Sequence, residues 1–404
     1  MKKPVIIFIP GFKGSFLREN HNGRLVWPSV WQIYLGNKSL QLPIGAEQTG
    51  CLTLDSTKVL DKISLIPGLV EIKFYQRWLK ALQQNFGQTH DIIGLDYDWR
   101  QDNIHAITKL AKLVAQLNKD GRRSITLTAH SMGGIIASYY LRYGHQGFAD
   151  AQENWSGAQQ VDRVIFAGVP FRGTASMFRS IQIGMRTEKN RRLLCQSAIA
   201  SFPSSYQLLP KMDVSFLSKL DSSSLEQNIF DMQNWRANRW GLMQPYQSLE
   251  GLSFADQRSA ASISTIRNPE TKSTAAEIFT QAQLNLASQL MGRTHSPVAT
   301  EIPRGLEVLN VIGKGYDTPN RIYVEQDQQG CWKILSSQEA KQRPDAPSPH
   351  QLYDDGDYNV TVASATLPYS FSAGAAQTIY SNHEHSALYD DRLIQQQVIA
   401  FIRS

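Results

Sequence analysis

The residues best suited to chemistry lie at positions 129–134: Ala129-His130-Ser131-Met132-Gly133-Gly134. A serine hydroxyl becomes a nucleophile only when a neighbouring base takes its proton, so its setting decides its use. Here the string separates a strand-like run, Ser124 to Thr128 (SITLT), from a helix-like run opening at Ile135. A serine on so sharp a corner takes strained dihedrals that expose its hydroxyl, and bulky residues two positions away would strike sheet or helix. Ala129 and Gly133 meet that demand. A helix N-cap would explain the serine but not its small neighbours. The corner also sets the Met132 N–H at a helix start, where donors are unpaired and the dipole favours negative charge, which is half of an oxyanion hole. The other half is expected from Pro10-Gly11-Phe12-Lys13-Gly14-Ser15, with the Phe12 N–H as donor. An ordinary turn is the plainer reading of that loop.

In such a fold the acid and base follow the serine in that order, at the C-terminal ends of later strands. Asp354-Asp355-Gly356-Asp357-Tyr358-Asn359-Val360 supplies the acid, and Asp357 is the choice; a solvated acidic turn accounts for Asp354 and Asp355. The base comes from Asn382-His383-Glu384-His385-Ser386-Ala387-Leu388, where two histidines compete and spacing does not separate them. His130 adjoins the serine but points away from its hydroxyl on this type of turn.

These groups need a scaffold. Val5 to Ile9 is a continuous β-branched and aromatic run, the pattern of a strand buried on both faces of a parallel sheet. Asp91 to Tyr97, Ser124 to Thr128, Val161 to Ala167, Leu306 to Ile312, Asn359 to Ala363 and Thr378 to Tyr380 also read as strands. Helical spacing marks Gln76 to Phe86, Ile104 to Leu117 and a closing helix with Leu393, Val398, Ile399 and Ile402 on one stripe. Strands alternating with helices give right-handed βαβ units, hence an α/β fold around a mostly parallel sheet with helices on both faces. The alternation stops after Pro170. A structureless loop of such length is implausible, so 171–303 reads as an inserted cap. The core is then 1–170, with a lid segment at about 20–65, together with 304–404.

Composition narrows the class. The chain has 404 residues, 42% apolar and 19% charged, as in ordinary globular enzymes. The formal charge of +6 is mildly basic and favours approach to an anionic surface. We read that surface as a membrane rather than nucleic acid, with a solvated basic surface as the plainer account. Arg172, Arg179, Arg186, Lys189, Arg191 and Arg192 cluster at the cap's start and suit anionic headgroups or a solvated helix face. Cys51, Cys195 and Cys331 stand far apart, without metal-ligand or disulfide-framework spacing. The apolar start is too short for a signal segment, and no run of roughly 18 apolar residues occurs, so a cytoplasmic or peripherally membrane-associated protein is expected. The chemistry requires no metal or organic cofactor, and no obligate protein partner is implied.

The strings PVIIFIPGFKGSF, YDWR (Tyr97 to Arg100), AHSMGG, GVPFRGT (Gly168 to Thr174), SSYQLLP (Ser204 to Pro210), DGDYNV and EHSAL occur in the order found in the lecithin:cholesterol acyltransferase family of α/β-hydrolases. The chain resembles that family nearly end to end, patchily in the cap. The family includes a lysosomal phospholipase A and acyltransferases that take acyl chains from phospholipid. The resemblance implies Ser131 as nucleophile, Asp357 as acid, His385 as base, and Phe12 and Met132 as oxyanion donors. The region of Trp27, Pro28 and Trp31 is similar to the family's mobile lid, and Trp27, Val30, Trp31 and Tyr34 have the spacing of an interfacial aromatic face or of simple core. Two departures stand out. Only Cys51 lies near the lid, so the family's lid disulfide is not expected, and Asn359 stands where a threonine is usual. The expected activity is lipid acyl hydrolysis or O-acyl transfer. A soluble carboxylesterase or a silent hydrolase-fold binding protein are the alternatives.

Overall fold

Each residue of Val5–Ile9 is fully buried, and the run serves both faces of a sheet at once. Val5, Ile7 and Ile9 join one apolar cluster while Ile6 and Phe8 join another, as the two-residue period of a strand requires. The computed structural model describes residues 2–44, 54–66, 70–185, 189–211, 217–219, 223–244, 273–296, 302–335, 352–372 and 376–404. Its central sheet has six strands in the order Gln377–Ser381, Glu307–Gly313, Arg163–Ala167, Ile125–His130, Val5–Ile9, Asp91–Gly94. Every pairing is parallel, with Ile9 opposite Ala129 and His130 opposite Ala167. The order reverses at Val5–Ile9, which lies between Asp91–Gly94 and Ile125–His130. Ligands of such sheets bind at this reversal, beyond the strands' carboxyl ends.

Helices cover both faces. Gln76–Phe86 and Arg392–Arg403 pack on Ile6, Phe8, Ile165 and Leu309, while Asn103–Asn118 and Met132–Tyr143 pack on the opposite side. Asp102 and Asp391 cap two of them by accepting backbone N–H groups of the first turn. This is the α/β-hydrolase fold.

The sequence misleads in three places. Asn359 to Ala363 is not a strand: the Asp357 carboxylate draws the Asn359 and Val360 N–H groups into a turn, and Thr361 caps a short helix, Val362–Ala365. Leu393 is 67% exposed, and the buried stripe of the last helix is Ile394, Val398, Phe401 and Ile402. Small antiparallel pairings surround the core without a clear pattern in the sequence, such as Ser15–Glu19 with Leu25–Trp27 and Leu54–Val59, and Tyr316–Pro319 with Tyr353–Gly356.

Among the described residues, 171–303 contribute several helices, the longest being Ala275–His295. They also contribute the strand Leu217–Lys219, which pairs with Ile322–Gln326 beyond position 303. Trp235 and Trp240 are buried and pack against Phe178, and each indole donates to a backbone carbonyl. Cys51, Arg186 and part of the lid segment lie outside the described residues. Among the described residues no helix is long and apolar enough to cross a membrane.

Candidate active site

The site begins with one strained residue. Ser131 has φ 55° and ψ −128°, a region that L side chains rarely adopt, between the strand ending at His130 and the helix starting at Met132. Its N–H donates to the Ala167 carbonyl at 2.9 Å, and its own carbonyl accepts from Gly134 at 2.8 Å, so both sides of the corner are fixed. A Cβ at Gly133 would lie 2.4 Å from the Ile9 carbonyl oxygen, so the helix meets the sheet this closely only without a side chain there.

Ser131 Oγ lies 2.9 Å from His385 Nε2, and His385 Nδ1 lies 2.8 Å from Asp357 Oδ2. A carboxylate can only accept, so Nδ1 carries the imidazole proton and Nε2 is left to accept from the serine hydroxyl. Asp357 is 1% exposed, and its other oxygen accepts from Val360 N–H at 2.7 Å and Asn359 N–H at 3.1 Å. These donors are backbone, so asparagine in place of threonine leaves the carboxylate's hydrogen bonds intact. His385 N–H also donates to the Asp357 carbonyl at 2.9 Å, tying the two chain segments together. His383 is elsewhere: its ring is half exposed and faces Asp391 at 3.2 Å.

Phe12 and Met132 both adjoin this serine. A Cβ on Gly11 would lie 2.7 Å from the Ser131 Cβ, so the loop carrying Phe12 folds directly over that serine. Met132 is the first residue of its helix, and neither it nor Phe12 has a backbone N–H bonded to a partner among the described residues.

The loop is held by aromatic residues whose role the sequence did not announce. Tyr75 Oη accepts from Gly11 N–H at 3.1 Å, and Tyr97 Oη donates to the Pro10 carbonyl at 2.6 Å. The indoles of Trp27 and Trp99 donate to the carbonyls of Lys13 and Ser15. The string YDWR thus acts as a brace. Tyr97 and Trp99 clamp the loop, while Arg100, buried, is paired with Asp98 and donates to the Leu40 carbonyl. Its place in the sequence was visible, but the bracing was not. Trp27 is core, edge-on to Trp99. Trp31, in the short helix Val30–Tyr34, is 49% exposed, with the Arg24 guanidinium 5.1 Å from its ring. In the loop itself, burial lowers the Lys13 pKa.

His130 completes the surroundings. Its ring and that of His385 are 4.8 Å apart, yet His130 does not reach the serine. Burial, reinforced by His385, pushes its imidazole down to about 3, so it stays neutral beside His385.

Known proteins share this arrangement of sequence and fold. Residues 50–387 match the lecithin:cholesterol acyltransferase family. The chain belongs to that family. Lecithin-cholesterol acyltransferase-like 4 of Arabidopsis thaliana is 22% identical over 201 residues, 43% of this chain and 35% of that protein. An uncharacterized protein of Saccharomyces cerevisiae is 25% identical over 236 residues, 57% of this chain and 33% of that protein. The match thus spans about a third of the length of either relative. In the Tle4-Tli4 complex a chain aligns with 100% of this one over 98% of its own length, at a TM-score of 0.53 and 12% identity, which is a likeness of fold.

Proposed function

We propose that this member of the family is a serine-dependent lipid acyl hydrolase or O-acyltransferase that works through an acyl-serine, with Ser131, His385 and Asp357 as its triad. The observation that carries the reading is the unbroken contact from Ser131 Oγ through the His385 ring to Asp357. His385 takes the serine proton as Oγ adds to the ester carbonyl, and Asp357 stabilises the imidazolium. The oxygen of the carbonyl becomes an oxyanion, which the N–H groups of Phe12 and Met132 are placed to bind. His385 then protonates the departing alkoxide as the C–O bond breaks, leaving the acyl group on Ser131. Water or a second alcohol, deprotonated by the same imidazole, releases it. Hydrolysis and transfer diverge only at this last step.

The lipid assignment rests on family membership and on the exposed apolar pair Trp31 and Leu35, one turn apart at the end of the lid helix. Asn190 bonds to the backbone of Gln32 and Ile33, which places exposed Lys189 and Arg191 beside that helix. Cations around a small apolar surface suit peripheral contact with an anionic membrane.

The test is mass spectrometry of products from mixed phospholipid liposomes, with and without a long-chain alcohol. Free fatty acid alone marks hydrolysis, and a new ester marks transfer. Ser131→Ala is expected to lower either rate by about 10⁴-fold or more and to abolish fluorophosphonate labelling. Labelling that persists in that variant removes Ser131 from the mechanism.

A further inference from the structure

The oxyanion loop and the base come from opposite ends of the chain, and nothing in a three-residue triad fixes one relative to the other. A buried hydrogen-bonded path does so. Gly11 N–H meets Tyr75 Oη at 3.1 Å, Tyr75 Oη meets His130 Nδ1 at 2.9 Å, and His130 Nε2 meets the His385 carbonyl at 2.8 Å. Tyr75 and His130 are both nearly inaccessible to solvent. The path has one consistent polarity. The His385 carbonyl can only accept, so His130 Nε2 carries the proton. His130 Nδ1 then accepts the Tyr75 hydroxyl proton, which leaves the Tyr75 oxygen free to accept from Gly11. Every donor and acceptor along it is used once.

We infer that Tyr75 and His130 are positioning residues for acyl transfer, a bridge that sets the oxyanion loop at a fixed place relative to the base. The inference rests on the Ser131–His385–Asp357 reading. His130 acts on the carbonyl of residue 385, while the N–H of the same residue is held by the Asp357 carbonyl, so the base is pinned at both of its own backbone polar groups. Tyr75 is also well placed as an anchor: it precedes the helix Gln76–Phe86, and its ring packs edge-on against Phe8 at 4.8 Å, within the central sheet. Tyr97 fixes the Pro10 carbonyl, the other polar group of the same peptide plane, so that plane is held from both sides and the Tyr75 contact is the one that continues toward the base. Neither tyrosine nor His130 touches the reacting atoms.

The consequence is kinetic. Contacts to an oxyanion are realised only in the transition state, so a displaced loop lowers kcat and leaves KM unchanged. The experiment measures kcat and KM on p-nitrophenyl butyrate, and the rate of fluorophosphonate labelling, for the full chain and for Tyr75→Phe, His130→Gln, His130→Leu, the double variant Y75F/H130Q and Ser131→Ala. Tyr75→Phe keeps the ring and removes the hydroxyl. It is expected to lower kcat and the labelling rate together by about 10- to 100-fold, less than removal of an oxyanion donor outright, with KM within about twofold. Glutamine retains a donor where Nε2 stood, so His130→Gln is expected to recover much of the activity lost in His130→Leu. The double variant is expected to be no slower than its slower parent, because one path is broken only once. Thermal unfolding of each variant identifies any that fail to fold, and the labelling rate is then taken from the conservative pair.

A Tyr75→Phe enzyme with unchanged kcat, or one whose loss lies wholly in KM, overturns the bridge while an inactive Ser131→Ala leaves the triad standing. Losses that multiply in the double variant also overturn it, since independent packing defects would do that. Turnover that survives in Ser131→Ala overturns the triad, and the bridge with it.

Discussion

At the scale of single residues, the two histidines near the carboxyl terminus separate cleanly. His385 touches Ser131 and Asp357, whereas His383 is half exposed beside Asp391. His385→Ala is expected to lower kcat by at least about 10³-fold, and His383→Ala to change it by less than about threefold; steady-state kinetics on a soluble ester compares them. Gly313 makes a second case. A Cβ there would lie 2.6 Å from the Asp357 Cβ and 2.9 Å from a Leu388 methyl. The Asp357 Cβ cannot yield without shifting its carboxylate, so Gly313→Ala is expected to cost on the order of 1–3 kcal/mol in stability by denaturant unfolding and to lower kcat as well. His130 supplies a pH dependence with a definite sign. Its folded pKa of about 3 lies below the ordinary value, so below about pH 6.5 the unfolded chain takes up a proton that the folded one refuses. Stability is lost as pH falls from about 6.5 toward 3, by about 1.4 kcal/mol per pH unit at most. Melting curves of His130→Gln are expected to fall less steeply over that window than those of the parent. Tyr75, Tyr389, His385 and Asp357 surround position 130 in both proteins, so the difference reports His130.

At the scale of elements, the parallel strands were legible because burial on both faces leaves continuous apolar runs such as VIIFI, which hardly resemble anything else. The helix Gln76–Phe86 was legible to its ends for a similar reason, a single apolar stripe against the sheet. Where polar side chains decide the backbone path, legibility failed. Asn359 to Ala363 has strand composition, yet one carboxylate folds it into a turn. No motif surrounds Tyr75, and Tyr97 sits in one whose purpose the sequence does not show; their hydroxyls, placed by the fold, make them clamps. Arg142 is similar. It lies in the last turn of the helix that follows Ser131, is fully buried, pairs with Glu153 and donates to the Arg293 and Thr294 carbonyls at the end of Ala275–His295. It therefore joins the helix that follows Ser131 to the helix Ala275–His295. Arg142→Met removes the charge while keeping the stem, and takes this donor from buried Glu153 and from the Thr294 carbonyl, while the Arg293 carbonyl keeps the Tyr143 hydroxyl. An unfolding loss of about 3–5 kcal/mol is expected, measured in urea.

At the scale of the whole molecule, the fold accounts for a site at a carboxyl-end crevice but not for the lipid ester proposed as its substrate. That question turns on the surface around the helix Val30–Tyr34. Trp27, first in the aromatic spacing, is spent on packing against Trp99, so an amphipathic face along the whole stripe does not form. What remains outside is Trp31 and Leu35, with Arg24 over the indole and Lys189 and Arg191 alongside. Two apolar side chains bury too little area for firm membrane binding alone, at roughly 1.5–3 kcal/mol each, so the proposed membrane contact requires the surrounding cations and the net charge of +6 as well. The two contributions have different signatures. Raising salt from about 0.05 to 0.5 M shortens the screening length several-fold, which weakens the cationic part and spares the apolar one. Turnover of phospholipid in anionic liposomes is therefore expected to fall with salt, turnover in zwitterionic liposomes to stay low throughout, and turnover of a soluble ester to stay constant. Trp31→Ala is expected to lower the liposome rate several-fold at every salt concentration while leaving the soluble ester untouched. Equal losses on both substrates would instead mean that Trp31 supports the site through packing, and that the lipid reaches Ser131 by another surface.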